Sequence, residues 1–284
     1  IQHTRGTTEQ RGNGIRGDSL RNAVIKDNTF ANIGRSGIEV TGSKTNNILV
    51  ENNSILSFGN QQNFINTFTA GISITQGAEN GTLTKNVIVG SGRGGGIEIA
   101  QNSSNFVVTN NVISDINKGI SISAHVDKVT VNTNTINQPR VRGIDVFQSW
   151  DINVRENTIT QLEKDNLAGT VVEPAITIQQ SNKVTVNNNT INGNYLIKNN
   201  ETAILVQGNY PDDNNFQSIL YPSGTSPKVL SLKEQMVRYS QGQPSIYNEI
   251  YNPPHSLATG DSTNYTRNIF AGNVLNGSGR IFFN

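Results

Sequence analysis

An eight-residue phrase that occurs eight times limits this chain more than any other feature. It first runs from Ala23 to Phe30, as Ala-Val-Ile-Lys-Asp-Asn-Thr-Phe. It returns at Ile48–Ile55, Gly81–Ile88, Phe106–Ile113, Val129–Ile136, Ile152–Ile159 and Val184–Ile191. A last copy, Asn268–Leu275, follows a long interruption. The sixth position is Asn every time: Asn28, Asn53, Asn86, Asn111, Asn134, Asn157, Asn189 and Asn273. The first seven are separated by 25, 33, 25, 23, 23 and 32 residues. Self-similarity at this period is the mark of a solenoid, whose units bury their apolar faces only by stacking.

A second phrase alternates with the first. It begins with Gly14-Ile15 and continues as Gly37–Val40, Gly71–Ile74, Gly96–Ile99, Gly119–Ile122, Gly143–Val146 and Ala175–Ile178, with Ala203–Val206 as its last member. Both phrases alternate apolar and polar residues, the period of a strand with one face inward. Neither has a helical period, and a unit of about 23 residues leaves no room for crossover helices. The expected fold is all-β: a single-stranded parallel β-helix of eight or nine coils. At about 4.8 Å per coil the rod is about 40 Å long. The recurring Asn is read as structural. Asn tolerates the left-handed backbone of a tight bend, and stacked amides can bond along the rod.

Composition agrees. Of 284 residues 42 are Asn, and hydrophobic residues make up 34%, which is enough for a core if used repetitively. The apolar residues are patterned, which argues against disorder. Lys and Arg total 22 against 21 Asp and Glu, so there is no electrostatic footprint for nucleic acid. The absence of Cys removes disulfides, thiolate metal sites and a Cys nucleophile. No apolar run approaches the ~18 residues of a membrane span. The first residues, 1–12, are polar and lack the apolar core of a signal peptide. The expectation is a chain that is not exported by that route, or a mature or trimmed form.

The Asn-x-Ile ending and the Gly-Ile strand that follows it resemble the right-handed parallel β-helix, or pectate-lyase-like, superfamily. The resemblance covers about residues 13–207 and 265–280. It implies one domain, 1–284, with main coils over 13–207, a non-repetitive insertion over 208–264 and a terminal coil over 265–284. The superfamily holds polysaccharide lyases, glycoside hydrolases, uronan epimerases and bacteriophage tailspikes. The resemblance therefore implies a polysaccharide partner and an extracellular, secreted or virion-surface location. A homotrimer is the assembly that the tailspike likeness suggests.

Three long connections, Ser57–Ala70, Gln161–Pro174 and Asn192–Thr202, join an Asn-x-Ile ending to the next Gly-Ile strand. Gly90–Gly95, Ser114–Lys118 and Asn137–Arg142 are shorter connections at the same place. All stack on one edge of the rod, where function concentrates on a regular scaffold. Beside that edge, the residue after Gly-Ile points outward. This column reads Arg16, Glu39, Ser73, Glu98, Ser121, Asp145, Thr177. Its acids fall on alternate coils, about 9.6 Å apart. That is the upper edge of the separation in an inverting glycosidase. It is too wide for two carboxylates to share a calcium ion, so the clustered acids of pectate lyases are not reproduced; no cofactor is expected, calcium being the open alternative that this spacing does not support.

The candidate catalytic residues are Glu98 and Asp145 as an acid–base pair, with His125 as a further acid or base. Glu39, Arg93, Arg140, Arg142, Phe147 and Trp150 are the candidate substrate-binding residues. Arg could hold an acidic sugar and the single Trp could stack on a sugar ring. The plain alternative is a solvated outward face on which the Arg residues neutralise the acids. His125 and Trp150 are expected at nearly equivalent positions of adjacent coils. The leading functional expectation is binding and cleavage of a polysaccharide, by a hydrolase or lyase. The alternatives are a non-catalytic adhesin or phage-tail module, or a uronan lyase or C5-epimerase. In the interruption, a capping box at Ser231–Glu234 predicts a short helix over Leu232–Ser240. The local Tyr enrichment fits an interface or a sugar-binding lobe.

Overall fold

The computed structural model describes residues 12–59, 69–90, 94–161, 174–194, 202–207, 269–278 and 280–283. Every regular element among them is a strand. The strands form three sheets, and every pairing is parallel and joins one coil to the next. The first sheet has nine strands, from Ile15–Asp18 to Arg280–Phe283. The second has eight, from Arg21–Lys26 to Ile269–Ala271. The third also has eight, from Thr29–Ile33 to Val274–Ser278. The chain visits the three sheets in turn, so the architecture is the parallel β-helix expected from the repeat. The expected insertion at 208–264, its short helix and its Tyr cluster lie outside the described residues.

Each coil contributes three strands, and the Asn phrase supplies two of them. In one coil Asp127–Asn132 belongs to the second sheet and Thr135–Asn137 to the third. The bend between them corrects the reading of the recurring Asn. The left-handed residue is the one before it: Asp27, Asn52, Lys85, Asn110, Thr133, Glu156 and Asn188, with φ between 51° and 58°, and Gly272 at 62°. That position faces outward, so its strain falls on residues with exposed side chains. The Asn itself turns inward and works through its amide.

The amides form a continuous ladder. Each Asn donates from its side-chain Nδ2 to the Oδ1 of the Asn in the next coil, from Asn28 to Asn273, at 2.9–3.0 Å. Its backbone N–H donates to the same oxygen at 3.0–3.2 Å. Asn189 reaches Asn273 across 84 residues of sequence, so the last copy of the phrase stacks directly on the seventh. Buried amides are tolerated because their donors and acceptors are all engaged.

Inside the rod, Ile, Val, Leu and Phe from all three sheets form one apolar cluster. The Gly of the Gly-Ile phrase belongs to this packing. A Cβ on Gly143 would lie 2.7 Å from Ile159 Cγ2 and 2.8 Å from the carbonyl of Ala175. Close approach of the first sheet to the Ile of the third, and not a special dihedral, selects Gly there.

Candidate active site

The first sheet sets the expected column in strict register. Glu39 pairs with Ser73, Ser73 with Glu98, Glu98 with Ser121, Ser121 with Asp145 and Asp145 with Thr177. Successive acids are thus two strands apart, about 9.6 Å. The shorter connections also fall where expected, between the third and first sheets: Ser114 ends one strand and Lys118 begins the next.

The environment of the column differs from the expectation of a solvated face. Glu39 is 7% exposed and Asp145 only 2%, and Ser73, Ser121 and Thr177 are buried as well. Buried carboxylates require partners, and two of the three acids have cations. Asp145 Oδ2 accepts from Lys118 Nζ at 2.6 Å and Oδ1 from Arg142 Nη1 at 2.8 Å. Glu39 Oε2 accepts from Arg35 Nη1 at 3.1 Å and from the Asn13 amide, with Arg16 Nε 4.0 Å away.

Glu98, midway between them, has a hydroxyl where the others have cations: Ser73 Oγ donates to Glu98 Oε2 at 2.8 Å. Burial, only partly offset by Ser73 and Lys118, pushes its carboxyl from 4.5 up to about 7. The column therefore holds two acids in ion pairs, flanking one carboxyl that can carry a proton at neutral pH. Separation of two carboxyl environments in this way is how an acid is told from a base.

The remaining expected site residues divide. Arg142 joins Asp145. Phe147 is half-buried, two residues further along the same strand, in register with Ser123 and Gln179. Arg140 is exposed in the connection before the strand. Arg93 lies outside the described residues. His125 and Trp150 are not at equivalent positions: Trp150 pairs with Asp127, while the His125 N–H donates to the carbonyl of Gln148 at 2.8 Å. Their rings still meet, 6.5 Å apart and tilted by 57°. They sit past the end of the first-sheet strand, at the turn into the second sheet. His125 is buried there, and that burial lowers it from 6.5 to about 4.

Sequence reasoning missed Asn13, Arg35 and Lys118. Lys118 and Arg142 carry a usable signal, because each immediately precedes the Gly of its phrase and the two are in register. Among the described residues no three His, Asp or Glu side chains gather as a metal site, and no helix is long and apolar enough to cross a membrane.

Glu98, half-buried, and His125, buried, oppose one another in pH dependence. Glu98 is raised on folding, so its ionisation removes stability as pH rises from 4.5 through about 7. His125 is lowered, so stability is lost as pH falls from 6.5 through about 4. Over the shared window the slopes largely cancel. Single variants separate them. Glu98→Gln is expected to be more stable than the parent above pH 7, by up to about 3 kcal/mol. His125→Asn is expected to flatten the acid limb. Urea melts of both variants between pH 4 and pH 8 check this, and parallel profiles for parent and variants would contradict it.

A family model described as a right handed beta helix region matches the chain at residues 7–159 and again at 62–218. No curated protein and no solved structure matches it.

Proposed function

The chain belongs to the right-handed β-helix family, and from that premise we propose that it binds and cleaves a polysaccharide along the outer face of its first sheet. The observation that carries the reading is Glu98. It is a carboxyl held near neutral pKa at the centre of a column of acids, on the sheet bordered by the inter-coil connections. A perturbed titratable group in such a setting is a functional candidate on physical grounds. The fold adds only an analogy, since the superfamily it resembles acts mainly on carbohydrate.

In the proposed reaction Glu98 donates its proton to the glycosidic oxygen as the C–O bond breaks. Asp145 takes the proton of the attacking water, and about 9.6 Å between the two leaves space for that water, as in an inverting hydrolase. Lys118 and Arg142 each bond one oxygen of Asp145 and so orient it. On a uronic acid polymer the same cations would offset the sugar carboxylate, and the step would be β-elimination or epimerisation. Such polymers place the site of action outside the cell, as a secreted or virion-surface protein.

The test is incubation with neutral and acidic polysaccharides, following reducing ends and the absorbance of the unsaturated product together. Reducing ends alone identify a hydrolase, and both signals identify a lyase. Glu98→Gln is expected to lower turnover by about 10²-fold or more with binding retained.

One observation favours a second reading, a non-catalytic adhesin or tail module. Most of the acid column is buried and ion-paired, as a purely structural face would be. It predicts binding without product, unchanged in the Glu98→Gln, Asp145→Asn double variant.

A further inference from the structure

The outer face of the third sheet is unlike the rest of the surface. Of the six large hydrophobic side chains exposed among the described residues, four lie on it: Leu56 at 37%, Val87 and Val112 at 42% and Val274 at 50%. The outward positions form two columns. The first runs in register from Thr29 through Val87, Val112, Thr135 and Thr158 to Val274. Neither column contains a charged residue over its described positions, from Thr29 and Ala31 onward. Soluble rods normally place charge on exposed sheet faces. An uncharged, regularly spaced face, largely β-branched along its first column, is suited to lie against another such face.

We propose that this face pairs two copies of the chain, antiparallel along the rod, about a two-fold axis between the strands Val112–Ser114 and Thr135–Asn137. Three observations favour a second copy over another partner. The first is self-complementarity. The eight strands have their centre at that axis, and the operation sets Val112 opposite Thr135, Val87 opposite Thr158, Ser54 opposite Thr190 and Thr29 opposite Val274. Three of the four are pairs of β-branched side chains and the fourth pairs two small hydroxyl residues, so the column matches its own two-fold copy, as an isologous interface requires.

The second is charge at the rim. The left-handed bend position beside the face carries exposed Lys85, which also pairs with Glu51 of the preceding coil at 3.0 Å, in the third coil from one end and exposed Glu156 in the third from the other. The same two-fold axis brings Lys85 of one copy to Glu156 of the other, twice. The third is area. Eight strands at about 4.8 Å and a width of about 14 Å bury roughly 1,000 Å² in total. That is the lower bound for a specific contact, so the pair is weak and concentration-dependent.

The full chain should sediment as 30.8 kDa when dilute and approach twice that mass over roughly a hundredfold rise in concentration. Val112→Lys with Thr135→Lys sets like charges at the axis and should raise the dissociation constant at least tenfold. Val107→Lys, on the second sheet, should leave it unchanged. Lys85→Glu and Glu156→Lys should each weaken the pair, and combining them should restore it, which loss of folding cannot mimic. A monomer at every concentration, a threefold mass, association indifferent to the Lys variants, or failure of the charge swap to rescue would each overturn the proposal.

Discussion

Replacing Asn134 with Ala should lower the stability of the rod by about 3–5 kcal/mol, although the residue is only one of eight in its series. Its Oδ1 accepts from both the backbone N–H and the Nδ2 of Asn111. Its Nδ2 donates to Asn157 Oδ1 and to the carbonyls of Val108 and Asn132. Ala removes these partners and leaves buried donors and carbonyls on both neighbouring coils unsatisfied, each costing about 1–3 kcal/mol. The substitution also cuts the ladder at its middle. Since a solenoid is held by nearest-neighbour contacts, the urea transition should broaden as well as shift. Asn110→Ala is the control: that side chain is exposed, and its loss from a left-handed position should cost about 1–2 kcal/mol, less than the ladder residue. Affinity for any carbohydrate should survive Asn134→Ala. A midpoint within about 0.5 kcal/mol of the parent would remove the ladder from the account of stability.

Gly119→Val should have a comparable effect by the opposite route. A Cβ on Gly119 would lie 2.7 Å from Ile136 Cγ2 and closer still to the carbonyl oxygen of Gly143. One obstacle is core and the other is the backbone of the next coil. Neither can move without opening the stack, because Gly143 is itself packed against Ile159 and Ala175. Overpacking of a core costs about 1–3 kcal/mol, and a branched side chain against fixed backbone should reach or exceed the top of that range. Gly119→Ala should be milder, since the same position of a later coil holds Ala175, fully buried. Thermal melts of the pair test the ordering, and an equal, small loss for both would show that the first sheet yields locally.

Much of this was readable in the chain. The Asn and Gly-Ile phrases specify coil number, stacking order and the register of Glu39, Glu98 and Asp145, because a repeat reports its own translation. What escaped depends on neighbours in other coils. The break of the Asn phrase into two strands is set by the residue before the Asn, which varies from Asp to Lys to Thr and carries no pattern. Lys118 meets Asp145 only because two coils align, and Arg35 meets Glu39 from the connection that leads into the strand Ile38–Thr41. What separates Glu98 from its neighbours is a hydroxyl partner where they have cations, and alternation along a strand says nothing of that. His125 and Trp150 were expected side by side and do meet, but two residues out of step.

The ladder fixes only the distance from one coil to the next. Coils in this chain take up 23 to 33 residues between successive ladder Asn, and the last closes over 84, yet each meets its neighbour at the same 2.9–3.0 Å. The molecule behaves like a screw whose pitch is constant while its circumference is free. New chain can be spliced into the connections between the third and first sheets, changing what the first-sheet edge presents, without altering the thread that stacks the coils.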